Sequence, residues 1–208
     1  YVSEVYGLDQ GFDHLDFHQD RKASDVADRA IAILERLGDR PPRSIRTVLV
    51  VGGAGYIGSV LVRRLIERGY GVRVLDCFLY GPESLDELAA HPALEVRHGD
   101  FRSIPAVVEA VRGCDAVIHL AAIVGDPACT LDEAAARQIN YTATRLLAEV
   151  AKGFHVERFL FASTCSVYGA SDELVDECSA LNPLSLYART KMDSETALHT
   201  TGETLTCL

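Results

Sequence analysis

The stretch Thr47–Gly69, TVLVVGGAGYIGSVLVRRLIERG, limits the possible folds more than any other part of the chain. A strand of valines runs into a cluster of glycines, and an amphipathic helix runs out of it. Gly52 permits the tight turn, Gly55 lets the backbone come close to a ligand, and Gly58 lets helix pack on strand. A strand, a turn and a helix in that order open a βαβ unit, so a parallel sheet is expected.

The ligand that fits such a turn is a pyrophosphate, because the N-terminus of the helix presents unpaired N–H groups to it. Asp76 ends the next β-rich run, VRVLD, 18 residues after Gly58. There a carboxylate can accept hydrogen bonds from both ribose hydroxyls of an adenosine and would repel a 2′-phosphate. No Arg or Lys follows directly in DCFLYG, so NAD is favoured over NADP. The competing reading of Asp76 is a strand-end residue that caps a turn.

Apolar β-rich runs then alternate with helical stretches. TVLVVGG, YGVRVLD, LEVRHGD, CDAVIHLAA and VERFLFAST read as strands with crossover helices between them. Continuous apolar strands imply burial on both faces, hence a doubly wound, mostly parallel α/β sheet. At 208 residues the chain suits one well-buried domain with an appendage. We expect an arm, an amphipathic helix and a Pro linker over 1–44, and the main domain over 45–208. In the helix, Val26, Ala30, Ile33, Leu34 and Leu37 share a face, with Ser24 as N-cap and Gly38 just past the end. GDRPPRS, 38–44, breaks it. The apolar face of this helix is expected to pack on its own domain, with a partner-binding role as the alternative.

A net charge of −10 without a basic run argues against nucleic acid or an anionic membrane as partner. No apolar run is long enough to span a bilayer. Six scattered cysteines include no C-x-x-C pair, so neither a metal site nor a redox motif is expected. A soluble, cytoplasmic protein with reduced thiols follows as the expectation.

GGAGYIG (52–58), VLD (74–76), GDFR (99–102), HLAA (119–122), Asn140 in INYTAT, STCSVYG (163–169) and YARTK (187–191) together resemble the extended short-chain dehydrogenase/reductases. The resemblance covers about 45–208 and is greatest to the NAD-dependent epimerase/dehydratase group acting on nucleotide sugars. It implies a Rossmann-type fold and a cofactor site drawn from Gly52, Gly55, Tyr56, Ile57, Gly58, Asp76, Asp100, Phe101, Leu120, Ala121, Ala122, Asn140, Ser163, Tyr187 and Lys191. Within that set Asp100 would contact the adenine amino group, Ala121 and Ala122 would line the pyrophosphate and nicotinamide side, and Asn140 would order the helix behind the active site. His119 is expected to be a packed core residue. The role of IVGDPAC, 123–129, stays open, with Cys129 expected to pack rather than react.

Tyr187 and Lys191 are one helical turn apart and share a face. A phenolate useful near pH 7 needs the tyrosine pKa lowered by roughly three units, about 4 kcal/mol, and a lysine ammonium with an oxidised nicotinamide is the right kind of source. Thr164, at the end of FLFAST, supplies a hydroxyl for the same substrate oxygen. The three residues fit alcohol–ketone redox chemistry. Thr164 is followed by Cys165 and Ser166 rather than by the acidic pair of the 4,6-dehydratases, so a dehydratase is disfavoured.

The expected function is an NAD-dependent nucleotide-sugar 4-epimerase. The alternatives are a nucleotide-sugar ketoreductase or dehydrogenase and, from another class, a non-catalytic NAD-binding module. Tyr1 in place of Met, and an end at TLTCL where the family continues into its C-terminal substrate lobe, lead to the expectation of a fragment without that lobe. The family commonly forms homodimers. Leu146, Leu147 and Val150 suit such a seam or the core equally well.

Overall fold

The computed structural model describes residues 17–35, 46–170, 175–176, 178–200 and 205–207. Six strands, β1 Thr47–Val51, β2 Gly71–Asp76, β3 Leu94–His98, β4 Ala116–His119, β5 Arg158–Phe161 and β6 Leu205–Cys207, form one sheet in the order β3-β2-β1-β4-β5-β6. Every neighbouring pair is parallel. The order reverses between β1 and β4, which opens a crevice at the carboxyl ends of these strands. Leu205–Cys207, within the run TLTCL, supply the sixth strand, parallel to β5.

The helices are α1 Phe17–Glu35, α2 Tyr56–Glu67, α3 Ile104–Val111, α4 Asp126–Leu131, α5 Glu133–Arg137, α6 Thr144–Gly153 and α7 Leu186–Thr200. A single π-helical turn, Gln138–Ala143, joins α5 to α6. Among the described residues no helix is long and apolar enough to cross a membrane.

Alternate residues of the valine-rich strands feed two cores. Leu49, Val51, Val117, Phe159 and Phe161 pack with Val107 and Val111 of α3, Leu147 and Ala151 of α6, and Leu198 of α7. Val48, Val50, Val74, Ile118 and Leu160 pack on the other face with Leu61 and Leu65 of α2. Leu147 is therefore a core residue, and Val150 packs partly buried against the same cluster. β3 departs from the expected two-sided burial: Glu95, Val96 and His98 are exposed, because β3 is an edge strand. Its charges serve that edge, with Glu95 accepting from Arg73 at 2.7 Å and from Arg97 at 2.7 Å.

The N-terminal helix differs from its sequence reading. It starts at Phe17, so Ser24 lies inside it rather than capping it, while Leu37, Gly38, the Pro linker and the arm before Phe17 fall outside the described residues. Its buried stripe is Ala23, Ala27, Ala30, Ile31 and Leu34, with Val26 and Ile33 only half-buried. Small alanines set the face because they let α1 approach α2 closely, which a count of large apolar residues overlooks. Arg64 of α2 closes the contact through Asp28 and the Ser24 side chain, and it donates to the Ser24 carbonyl at 3.1 Å. The helix thus belongs to the second core. Ile31→Ala should destabilise the fold by about 2–4 kcal/mol in urea titration, and Ala32→Ser, on the exposed side, by less than about 0.5 kcal/mol.

Candidate active site

Gly52 leaves β1 at φ +86°, and a Cβ there would come within 2.7 Å of the Ala121 nitrogen. The turn after β1 is thus pressed against the turn after β4. A Cβ on Gly58 would lie 2.2 Å from the Gly52 carbonyl oxygen, so α2 meets the turn with no room for a side chain. Gly55 is different. A Cβ there would meet only the Gly52 oxygen, at 3.4 Å, so packing within the chain does not require glycine at this place. What it leaves is an open approach to the N-terminus of α2, where no side chain caps the first N–H groups and no acidic residue stands in the first turn. Those groups fit a pyrophosphate. Tyr56 is exposed and Ile57 half-buried beside them.

Asp76 makes the backbone contacts of a strand-end turn cap. Its Oδ2 accepts from the Ala54 N–H and its Oδ1 from the Phe78 N–H, each at 2.9 Å, which fixes the glycine turn to the end of β2. A carboxylate has further lone pairs to offer a ribose. Asp100 is committed more heavily: it accepts from the Arg102 main chain at 2.8 Å and pairs with the Arg102 guanidinium, which holds its pKa below the usual carboxylate range. Phe101 is not a surface residue. Its ring is buried edge-on to His119 with centroids 5.0 Å apart, so its side chain serves the core.

Leu120, Ala121 and Ala122 follow β4 half-buried, with the Leu120 and Ala121 N–H groups both bonded to the Val51 carbonyl, at 2.9 Å and 3.0 Å. Beyond them Asn140 takes hold of the loop. Its Oδ1 accepts from the Ile123 N–H at 2.8 Å, and its Nδ2 donates to the Ile123 carbonyl at 2.9 Å and to Thr190 Oγ1 at 3.3 Å. Thr190 in turn donates to the Tyr187 carbonyl at 2.8 Å. The Asn140 main-chain carbonyl receives the hydroxyls of Thr144 and Ser194, each at 2.8 Å. Asn140 is 1% exposed and its amide is saturated by protein, so it positions the loop, the π-turn and α7 instead of touching a cofactor. Ser163 is likewise engaged, donating to Glu195 of α7.

Tyr187 and Lys191 stand one turn apart on α7, Tyr187 half-buried and Lys191 3% exposed. Thr164 caps the short 3₁₀ turn Cys165–Tyr168, accepting from the Ser166 N–H at 3.2 Å. Burial pushes the Tyr187 phenol above its ordinary pKa, and the Thr164 side chain pulls it back in part. The chain by itself thus does not supply the lowering a base needs, which was expected from Lys191 together with an oxidised nicotinamide. Desolvation, a tertiary effect, outweighs what its neighbours contribute. Cys129, Cys165 and Asp126 are the other groups whose charge bears on the phenol, each raising it. Cys129 is fully buried, with Sγ 3.4 Å from the Ile123 carbonyl, in agreement with a packing role.

Sequence reasoning passed over Thr190, Ser194 and Thr144, whose hydroxyls make the buried network. The signal was present: Tyr187, Thr190, Lys191, Ser194 and Leu198 form one helical stripe, and three of those that are polar are buried. Asp126 lies in the segment 123–129 whose role stayed open, and the β4–α4 turn brings its charge to bear on Tyr187.

The two glycines make separable predictions. Gly55→Ala should leave stability within about 1 kcal/mol while weakening NAD binding at least tenfold by calorimetric titration, whereas Gly58→Ala should cost about 2 kcal/mol or more of stability through the forced backbone shift.

Residues 48–206 match the family model described as the NAD dependent epimerase/dehydratase family. The chain is 35% identical over 168 residues to a UDP-glucose 4-epimerase of Streptococcus mutans, covering 73% of this chain and 46% of that protein. It is 33% identical over 174 residues to a 3 beta-hydroxysteroid dehydrogenase/Delta 5-->4-isomerase of Mycobacterium tuberculosis, covering 78% of this chain and 45% of the other. Among solved structures, a dTDP-glucose 4,6-dehydratase of Streptomyces venezuelae with NAD bound superposes with a TM-score of 0.72 at 32% identity, over 77% of this chain and 54% of that one. The UDP-Glc/GlcNAc 4-epimerase of Campylobacter jejuni gives 0.70 at 30% identity, over 74% and 48%. This chain spans about half the length of these relatives. By its fold, its glycine turn and its match over most of its length, the chain belongs to the NAD-dependent epimerase/dehydratase family of enzymes.

Proposed function

We propose that the protein carrying this chain is an NAD-dependent nucleotide-sugar 4-epimerase that works through a transient keto-sugar. The observation that carries the reading is the half-buried Tyr187 phenol, with Thr164 near enough to lower its pKa and a buried Lys191 one turn away, at the same carboxyl edge of the sheet as the glycine turn. NAD, when bound, supplies the hydride acceptor. Tyr187 takes the proton of the sugar hydroxyl as the alcohol becomes a ketone and returns it on reduction. Thr164 hydrogen-bonds the same oxygen.

Burial keeps Tyr187 protonated near neutral pH, which suits the step that returns a proton to a ketone. Its use as a base needs added positive charge, and Lys191 together with an oxidised nicotinamide provides it. Lys191 also suits the nicotinamide ribose hydroxyls, and Asp76 and Asp100 the adenosine half. Epimerisation asks only that hydride leave and return on opposite faces of a rotated keto-sugar. Elimination of water would need a carboxylic acid and carboxylate directly after Thr164, where Cys165 and Ser166 stand. A homodimer in the cytoplasm is part of the same proposal.

A second reading, a dehydrogenase or ketoreductase with net redox change, is favoured by the similarity to a hydroxysteroid dehydrogenase. It uses the same residues. Incubation of the full protein with NAD and UDP- or dTDP-hexoses separates the two: epimerised sugar by NMR without absorbance at 340 nm supports the first, and stoichiometric NADH the second. In either case Tyr187→Phe should lower kcat at least about a thousandfold with NAD affinity unchanged. Substantial residual turnover would remove Tyr187 from the acid/base role.

A further inference from the structure

Lys191 is 3% exposed, and burying an ammonium is unfavourable unless its surroundings compensate. Its Nζ lies 4.1 Å from the centroid of the Phe161 ring. Phe161 ends β5 and is 1% exposed, so the ring is fixed by the core around it. Opposite Phe161 in the parallel ladder is His119, with ring centroids 5.8 Å apart.

His119 is the group that could repel the ammonium, and it is neutral. Its Nε2 is 2.9 Å from Thr144 Oγ1, and Thr144 gives its own proton to the Asn140 carbonyl at 2.8 Å, so Nε2 carries the imidazole proton and Nδ1 is a bare acceptor. Nδ1 has no hydrogen-bond partner. Burial and the charge of Lys191 push the imidazole down to about 3. On the β4–β5 side the ammonium therefore meets a ring face and a neutral imidazole. Tyr187 stands one turn away on the same helix, and around its phenol are Asp126 and Cys129 of α4 and Cys165 after β5.

We propose that Phe161 is a positioning residue whose ring face keeps the Lys191 ammonium charged and seated over the end of β5, one helical turn from Tyr187. The proposal rests on the reading of Tyr187 and Lys191 as the acid/base pair. A ring face attracts the ammonium and not the neutral amine, so its removal should lower the pKa of Lys191 by about one unit. Phe161→Leu keeps the apolar bulk and removes the ring. Phe161→Tyr keeps the ring.

The test is NMR of the full protein with ¹³C-labelled lysine, together with the pH dependence of turnover. In the wild type the Lys191 Hε protons should lie upfield through the ring current. In Phe161→Leu they should return to the ordinary lysine position, the Lys191 titration should move down by about one unit, and the alkaline limb of kcat should move with it. Phe161→Tyr should keep all three. If the leucine variant does not fold, 4-fluoro-, 3,5-difluoro- and pentafluorophenylalanine at position 161 replace it, and the same titration should fall stepwise along the series. An unchanged Hε position, or an unmoved titration or alkaline limb, in the leucine variant or along the fluorinated series would overturn the proposal. The spectroscopic readout does not depend on turnover, so an active Tyr187→Phe protein would sink the acid/base reading alone.

Discussion

Two loops that leave the sheet at β1 and β4 touch backbone to backbone, and the rest of the site depends on that contact. Gly52 stands where a Cβ would strike Ala121, and Gly58 where it would strike the Gly52 carbonyl. Strand, turn and helix are thereby held at one spacing. Asp76 adds a second tie through the Ala54 N–H at 2.9 Å. The cradle for a pyrophosphate at Gly55 is what remains open once these contacts are made.

The other half of the site is held by a buried polar network, not by backbone contact. Asn140 grips both main-chain groups of Ile123 and, through Thr190, the carbonyl of Tyr187, while its own carbonyl takes Thr144 and Ser194. Networks of this kind are worth having only when every member is satisfied, since an unpaired buried group costs about 1–3 kcal/mol. Apart from His119 Nδ1, every buried side-chain nitrogen and oxygen among the described residues has a partner. The π-turn at 138–143 is the local departure from regular helix that accompanies this arrangement.

How much was legible in the sequence follows from which physics was local. Glycines at 52, 55 and 58 between a valine strand and an amphipathic helix have a meaning that needs no tertiary context, and the parallel order followed from the apolar runs. Tyr187, Thr164 and Lys191 come together because strand ends and the first turns of following helices share one edge of the sheet. The buried face of α1 was misjudged, since alanines carry little hydrophobic signal but set the closest helix approach. The upward push of burial on the Tyr187 pKa was not legible, because desolvation depends on packing that spacing cannot convey. Phe101 stood in a motif of the right kind yet is turned into the core, whereas Asn140 orders the helix behind the site as its motif implied, through Thr190 and Ser194.

The central claim is that a hydride leaves a sugar carbon and returns to the same carbon, with Tyr187 moving the proton. The most direct measurement is the fate of deuterium in a nucleotide hexose labelled at C4, incubated with the full protein and NAD in ordinary water. The account predicts an epimerised product that keeps its deuterium at C4. Deuterium lost to solvent in an epimerised product would mean that the carbon is deprotonated instead, which would contradict the account.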